Sequence, residues 1–221
     1  MRLFTLPFSQ NKYYLICEII FIFFLIPILL LPITKGNFIL LILMCVCCFC
    51  LFVLLKIDFR GLDKQFEYKI FFIAIKTIVI RCVVIAIVLF IILLLFYSEI
   101  LFFHPLNAKS QWLQLFWLYP LFSVIPQELL FRTFLFKRYQ ILLPNINHRV
   151  VLSCIAFSFL HIIFLNWEAV VLSFLASIIF CRTYIIFKSI LLVIIEHSIL
   201  GLLTYSVGFG YFFDSAFINL L

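Results

Sequence analysis

Seven long apolar runs, separated by short polar segments, divide the chain. They cover roughly residues 13–33, 38–55, 70–96, 113–136, 150–165, 168–187 and 190–207. A run of about 20 apolar residues is long enough to cross the hydrocarbon core of a bilayer as a helix. Helices are favoured for such runs because the backbone in lipid must satisfy its own hydrogen bonds. The pattern therefore predicts an all-α, polytopic membrane bundle of about seven transmembrane helices, with an eighth short or re-entrant segment at either end left open.

The charges between the runs predict the topology. Eleven Lys and Arg residues lie in alternate segments (the N-terminus, 56–69, 137–149 and 182–188), and two, Lys35 and Lys109, lie in the intervening ones. Cytoplasmic loops carry the excess of Lys and Arg. We therefore expect a multi-pass protein of the cell membrane with a cytoplasmic N-terminus. The first run is too long for a signal peptide and no small-residue cleavage pattern follows it, so it is expected to stay as an anchor.

The composition agrees with a membrane protein and excludes other classes. Of the 221 residues, 67% are hydrophobic and 11% are charged, whereas a soluble domain is about 25% charged. The net charge of +7 does not indicate a nucleic-acid partner, because the basic residues are spread over loops and no binding motif is present. Four cysteines between residues 45 and 50 lack the spacing of a zinc site, so we interpret them as packing residues. The sequence leaves the oligomeric state open.

The fourth run carries side chains that a membrane penalises. It contains Gln127, Glu128 and Arg132, and an ionised residue at the centre of a span costs about 2.5–3.5 kcal/mol. Glu128 and Arg132 are four residues apart, so they share a helix face and can neutralise each other. Two later runs each carry a histidine, His161 and His197. Because ionisable groups inside spans are candidates for function, we expect these side chains to meet in one polar centre.

These residue types suit peptide hydrolysis within a membrane. That reaction requires a base that activates water, donors for the developing oxyanion and a wet cavity. Glu128 is the candidate base, His161 and His197 are candidate oxyanion or proton-shuttling groups, and Arg132 would orient the carboxylate. A buried polar network that only holds the helices together explains the residue types equally well. Zinc held by Glu128, His161 and His197 is a further alternative, since three protein ligands are typical of catalytic zinc.

The order and spacing of these residues resemble the CPBP family, which comprises CAAX prenyl endopeptidases and bacteriocin-processing or immunity proteins and is also called the Abi family. Its pattern is Glu-Glu-x-x-x-Arg, Phe-x-x-x-His and a final His-x-x-x-Asn on successive helices. The chain has Gln127-Glu128-x-x-x-Arg132, a Phe-x-x-x-His motif that ends at His161, and then His197. The resemblance implies an intramembrane endopeptidase that needs no cofactor and cleaves a peptide or lipidated-protein substrate in the bilayer.

Two positions depart from the family pattern. Gln127 replaces the first motif glutamate, and a carboxamide cannot accept a proton as a base. Gly201 replaces the final asparagine, which removes an oxyanion donor. Catalysis then requires Glu128 as the base, with Gln127 assisting, although the two lie about 100° apart around an ideal helix. A distortion at Pro126 is one way to turn Glu128 inward. A catalytically degenerate homologue that acts as a membrane binding or immunity protein is the alternative function.

The resemblance suggests three parts. Residues 1–112 are expected to form about three N-terminal spans, residues 113–210 a catalytic core of four spans, and residues 211–221 a tail too short to cross.

The other ionisable residues are expected to lie outside the catalytic group. Glu18 and Glu196 are expected to be structural, whereas His104 and His148 are expected to lie in solvated loops.

Overall fold

The structure, a computed structural model, describes residues 11–31, 36–56 and 68–213. Within these ranges the chain is helical and contains no strand. The long helices, in chain order, are α1 (Lys12–Leu30), α2 (Gly36–Lys56), α3 (Tyr68–Phe96), α4 (109–138), α5 (Ile146–Leu160), α6 (Trp167–Phe187) and α7 (Ile190–Val207). The predicted all-α helical bundle is confirmed.

Five of these helices are long and apolar enough to cross a membrane: α1, α3, α5 with its extension to Phe164, α6 and α7. A shorter apolar stretch, Leu41–Val53, lies in α2. Helix α4 is not among the five, since its apolar run is interrupted by Gln127, Glu128 and Arg132. The chain is therefore a polytopic integral membrane protein, while seven spans and a cytoplasmic N-terminus remain predictions.

The main buried cluster takes side chains from each of α1 to α7, and its aromatic part lies where α4 to α7 meet. Helix α5 packs along α6, and α7 packs along both α3 and α6. The rings of Phe131, Phe157 and Phe180 are buried between these helices. By contrast α3 exposes large apolar side chains such as Ile73 and Leu95. In a bilayer such surfaces face acyl chains at little cost, so the buried aromatic layer is what distinguishes the inside of the bundle.

Helix α4 is not a regular α-helix. π-helical turns at Tyr119–Val124 and Leu129–Phe134 lie on either side of a short α-helical segment, Ile125–Glu128. Pro120 lies in the first turn of the π-helical segment Tyr119–Val124, and Pro126 lies in the first turn of the α-helical segment Ile125–Glu128. Each proline lacks an amide hydrogen and interrupts the α-helical hydrogen bonds, which favours wider turns. The distortion expected close to Glu128 is therefore present.

The segment between α3 and α4 was expected to be a solvated loop, and this is wrong for its centre. It contains a short helix, Phe103–Asn107, and the side chain of His104 in that helix is 0% exposed. The segment folds back onto the end of α7, where the Phe102 amide donates to the Val207 carbonyl at 3.0 Å. His148, by contrast, is exposed as expected.

The chain after α7 returns to the bundle through Gly208. This residue has φ +130°, and a Cβ there would collide with the Ile100 carbonyl, so glycine is required. The following 3₁₀ segment, Phe209–Phe213, brings the Phe213 ring to 5.9 Å from the His161 ring, measured between centroids.

Four parts of the predicted pattern lie outside the described residues. They are the N-terminal ten residues, residues 32–35 with Lys35, the polar segment 57–67 and the last eight residues of the tail.

Candidate active site

Glu128 and Arg132 form a fully buried ion pair on α4. Arg132 Nε lies 3.1 Å from Glu128 Oε2, and both side chains are 0% exposed. Arg132 Nη2 also donates to Ser177 Oγ on α6 at 3.0 Å. Its guanidinium carbon lies 4.6 Å from the centre of the Phe157 ring and 5.3 Å from that of Phe180. The guanidinium is thus held by a carboxylate, a hydroxyl and two aromatic faces.

His197 on α7 meets the other carboxylate oxygen. His197 Nδ1 lies 2.6 Å from Glu128 Oε1. The imidazole stacks on Phe180 with ring centroids 4.4 Å apart, and the rings of Phe157 and Tyr119 approach it edge-on. Glu128 pairs with Arg132 as a carboxylate, which can only accept, so Nδ1 is assigned as the donor in this hydrogen bond. The second ring nitrogen of His197, Nε2, then carries the lone pair of the neutral ring.

His161 lies where α5 gives way to a 3₁₀ turn, His161–Phe164. Its Nδ1 lies 2.7 Å from the carbonyl oxygen of Phe157, one turn earlier. A carbonyl can only accept, so Nδ1 carries the hydrogen here too, and Nε2 of the neutral ring carries a lone pair. The Phe157 ring contacts both imidazoles, with its centroid 4.8 Å from that of His161 and 5.7 Å from that of His197.

Both imidazoles line a cavity of about 390 Å³ inside the bundle. Gln127 lines the same cavity, and its Nε2 donates to Ser123 Oγ at 2.8 Å. Most of the other walls are apolar and come from α1, α2, α3 and α6. Glu128 is not among the described residues that line the cavity, and it contacts the cavity-lining His197 instead. On α4 it is therefore Gln127 that faces the cavity, whereas Glu128 lies behind it.

The arrangement brings all five predicted site residues together in two groups. Gln127, His161 and His197 line the cavity, and Glu128 and Arg132 support His197 from the side away from it. A carboxylate that binds Nδ1–H of a histidine fixes its tautomer and stabilises the imidazolium form, as in serine hydrolases. Such a histidine can accept a proton from a water molecule and return it later.

The zinc alternative does not fit these donors. The described residues contain no group of three or more His, Cys, Asp or Glu side chains placed to hold a metal ion. Glu128 uses Oε1 for His197 and pairs Oε2 with Arg132. A neighbouring guanidinium competes with a cation for the charge of this carboxylate. The described residues therefore do not form the predicted Glu128, His161 and His197 ligand set.

Glu18 and Glu196, which the sequence left outside the catalytic group, both form ion pairs. Glu196 forms an ion pair with Arg81 of α3. Glu18 of α1 accepts two hydrogen bonds from the Arg138 guanidinium, at 2.9 and 3.0 Å. The two acids thus stabilise helix contacts outside the cavity.

Two residues at the site, Tyr119 and Ser177, belong to none of the sequence motifs described above. Tyr119 lines the cavity near His197, and Ser177 holds Arg132. Ser173 and Ser177 are four residues apart in an otherwise apolar run, a spacing that places two hydroxyls on one face of α6. That spacing was the available signal for Ser177. For Tyr119 there was none, because it is one of many aromatic residues in apolar runs.

Comparison with known proteins gives one match. Residues 109–203 match the family described as Rce1-like, type II CAAX prenyl endopeptidase Rce1-like. The matched segment contains α4, α5, α6 and most of α7, and so includes all five predicted site residues. No curated protein and no solved structure matches the chain. Residues 109–203 are therefore similar to the Rce1-like family of type II CAAX prenyl endopeptidases, and the resemblance drawn from the motifs is confirmed for this part of the chain.

Proposed function

We propose that this protein is an intramembrane endopeptidase that hydrolyses a peptide bond of a membrane-associated protein or peptide. The family match supports a CAAX-type intramembrane protease in broad terms. The observation that carries the more specific proposal is the hydrogen bond between Glu128 Oε1 and His197 Nδ1, which leaves His197 Nε2 as the proton acceptor at the cavity. The base is thus the Glu128–His197 pair, and Glu128 acts through the imidazole.

In the proposed reaction His197 Nε2 takes a proton from a water molecule, and the water oxygen attacks the carbonyl carbon of the substrate. The resulting imidazolium is stabilised by the Glu128 carboxylate, whose position is fixed by Arg132. The other hydrogen of the water stays on its oxygen and donates a hydrogen bond to His161 Nε2, which orients the nucleophile. The tetrahedral intermediate then loses its C–N bond as His197 returns the proton to the leaving nitrogen. The products are a carboxylic acid and an amine, and transfer of the acid's proton to the amine gives a carboxylate and an ammonium group.

The apolar walls of the cavity support a substrate with a hydrophobic portion. Side chains such as Ile22 of α1, Val46 of α2 and Ile85 of α3 line the cavity on the sides away from the histidines. A peptide segment or an attached lipid chain can bury apolar surface there, which positions the polar scissile bond near His197. The first three long helices would thus contribute to substrate binding, and α4 to α7 to the chemistry.

A cleavage assay with matched histidine variants tests the proposal. The full chain is reconstituted in lipid nanodiscs and given peptides that end in Cys-aliphatic-aliphatic-X, with or without a farnesyl group on the cysteine. Mass spectrometry then measures release of the C-terminal tripeptide. We expect His197→Gln to lower kcat by about 10²–10⁴-fold, the usual contribution of a general base. The matched control is His148→Gln, which removes an exposed histidine and should retain the wild-type rate.

One further variant, Glu128→Gln, tests the role of the carboxylate in the base. Glu128→Gln keeps a hydrogen bond to His197 but removes the charge that stabilises the imidazolium, so kcat should fall while KM changes little. Thermal unfolding is recorded for each variant, which separates loss of activity from loss of the fold. Wild-type rates in both Glu128→Gln and His197→Gln would contradict the proposed base.

The exposure of Gln127 to the cavity favours one alternative, a homologue that binds a membrane partner or confers immunity without cleaving. Gln127 stands where the family pattern has its first glutamate, and a carboxamide cannot serve as a base. Under this alternative the wild-type chain cleaves no peptide, and Gln127→Glu alone creates activity. Under the proposed mechanism the wild type cleaves and Gln127→Glu is not required.

A further inference from the structure

The proposed mechanism requires a donor to the oxyanion, and neither histidine supplies one in its neutral form. The Nδ1 hydrogens of both rings are used by Glu128 and by the Phe157 carbonyl. Each Nε2 therefore offers a lone pair to the cavity, which suits a water molecule and not a developing negative charge. Stabilisation of the tetrahedral intermediate needs an O–H or N–H group at the cavity wall close to His197.

Tyr119 supplies a hydroxyl at that wall. The residue is 9% exposed and lines the same cavity as Gln127, His161 and His197. Its ring lies edge-on to His197, with centroids 5.9 Å apart and an interplanar angle of 80°. Tyr119 begins the first π-helical turn of α4, and the residue after it is Pro120. The irregular turn of α4 thus starts at the residue that reaches towards His197.

Gly201 leaves room for the phenol. It follows His197 by four residues, so the two positions share one face of α7. A Cβ on residue 201 would collide with the Tyr119 hydroxyl and with the ring edge that bears it. The Tyr119 oxygen therefore occupies the place from which any side chain at position 201 would start. Gly201 itself lines the cavity, so this contact lies at the cavity wall.

The ring of Tyr119 belongs to a small buried cluster with Leu115, Val124 and Tyr205. Its hydroxyl lies against α7 at Gly201, and both residues line the cavity. In the family pattern this position of the last helix carries the asparagine that donates to the oxyanion. In this chain Gly201 has no side chain at that position, and the hydroxyl of Tyr119 lies there as the donor in place of an asparagine.

We propose that the Tyr119 hydroxyl is a catalytic group that donates a hydrogen bond to the oxyanion, and that Gly201 admits it to this position. The assignment rests on the proposed hydrolase function. The hydroxyl keeps its proton throughout. No covalent bond to Tyr119 forms or breaks as the tetrahedral intermediate forms and collapses.

Tyr119→Phe tests the assignment because it removes the hydroxyl and keeps the ring. Loss of one oxyanion donor lowers kcat by about 10²–10³-fold, and we expect that fall with KM nearly unchanged. The matched control is Tyr139→Phe, which removes another buried hydroxyl, the one that donates to Glu18 Oε1 at 3.0 Å. The control should keep the wild-type kcat. A purely structural role for Tyr119 would instead lower the unfolding temperature and leave kcat unchanged.

A rescue pair provides a second test. Gly201→Asn alone should be impaired, because its Cβ collides with the Tyr119 ring. In a Tyr119→Ala background that collision is gone, and the carboxamide introduced by Gly201→Asn can donate in place of the phenol. We expect Tyr119→Ala/Gly201→Asn to cleave at least 10-fold faster than Tyr119→Ala, a part of the roughly 10²–10³-fold effect of one donor.

The outcomes separate this assignment from the proposed function. Wild-type cleavage with an unchanged kcat in Tyr119→Phe would overturn the role of Tyr119 and leave the hydrolase proposal intact. Failure of Gly201→Asn to improve Tyr119→Ala would argue against a donor at this position. A wild-type chain that cleaves no peptide would overturn both proposals together.

Discussion

Arg81 of α3 forms an ion pair with Glu196 of α7, the residue immediately before His197. Arg81 Nη2 also donates to Thr183 Oγ1 of α6 at 2.7 Å, so the guanidinium joins three helices. Consecutive residues on a helix point about 100° apart. Fixing Glu196 towards α3 therefore fixes the rotation of α7 at which His197 faces Glu128. The ion pair lies outside the cavity but controls the orientation of a cavity residue.

Loss of this ion pair should destabilise the bundle. The Glu196 side chain is 0% exposed and that of Arg81 is 24% exposed. Arg81→Gln leaves a buried carboxylate without its cation, which costs about 3–5 kcal/mol when such a pair is broken. We expect a lower midpoint of thermal unfolding in detergent, whereas Lys76→Gln, at an exposed position of the same helix, should unfold like the wild type.

The double variant Arg81→Gln/Glu196→Gln removes the unpaired charge as well. It should therefore be less destabilised than the sum of its two single variants. Strict additivity would show that the two residues do not interact.

The Glu18–Arg138 contact should affect stability without affecting chemistry. Arg138 binds both carboxylate oxygens of Glu18, and Tyr139 donates to the same group, so α1 is tied to the end of α4. Glu18→Gln removes the charge of a bidentate pair and should lower the free energy of unfolding by about 3 kcal/mol or more. The rate constant kcat of the remaining folded protein should equal that of the wild type. A reduced kcat in fully folded Glu18→Gln would place α1 in the catalytic step.

Much of the fold could be predicted because lipid imposes the length and the composition of a span. The last predicted run, 190–207, coincides with α7, and the third, 70–96, lies within α3 (Tyr68–Phe96). The five site residues could also be found, since charged and imidazole groups are conspicuous in apolar runs and their spacing matched a family pattern. His104 was placed wrongly because its environment depends on how the preceding segment folds back onto α7.

The division of roles at the site could not be predicted. Whether Gln127 or Glu128 faces the cavity depends on two π-helical turns, and a period of about 3.6 residues does not contain that information. The place of Tyr119 depends on a contact with Gly201, about eighty residues away in the chain. A glycine in a transmembrane run predicts close approach of some neighbour, but not which neighbour.

The predicted topology can be tested with a matched pair of cysteine variants. Helices α5 and α6 run from one end of the bundle to the other, so His148 and Trp167 lie near opposite membrane surfaces, and both are exposed. If the loop 137–149 is cytoplasmic, a membrane-impermeant maleimide added to intact cells should label Trp167→Cys and not His148→Cys. Both should react after permeabilisation, relative to the unsubstituted chain. The reverse pattern would place the N-terminus outside the cell.

Arg132→Lys should separate the charge of the guanidinium from its geometry. Arg132 pairs with Glu128 through Nε and donates to Ser177 through Nη2, while its guanidinium plane contacts Phe157 and Phe180. An ammonium group has one centre and cannot make these contacts together. We expect Arg132→Lys to fold but to hold Glu128 less rigidly, so that kcat falls more than the unfolding temperature suggests.

Two companion variants calibrate the effect of Arg132→Lys. Ser177→Ala removes the Nη2 contact, worth about 1.5–3 kcal/mol for a hydrogen bond to a charged group, and leaves both charges of the ion pair in place. Arg132→Met removes the charge and leaves Glu128 buried without a cation, so it should lower stability most, by about 3–5 kcal/mol. Unfolding temperature and kcat measured on the same preparations should both decrease in the order wild type, Ser177→Ala, Arg132→Lys and Arg132→Met. A wild-type kcat in Arg132→Lys would mean that Arg132 contributes charge alone and that the position of Glu128 is fixed by His197.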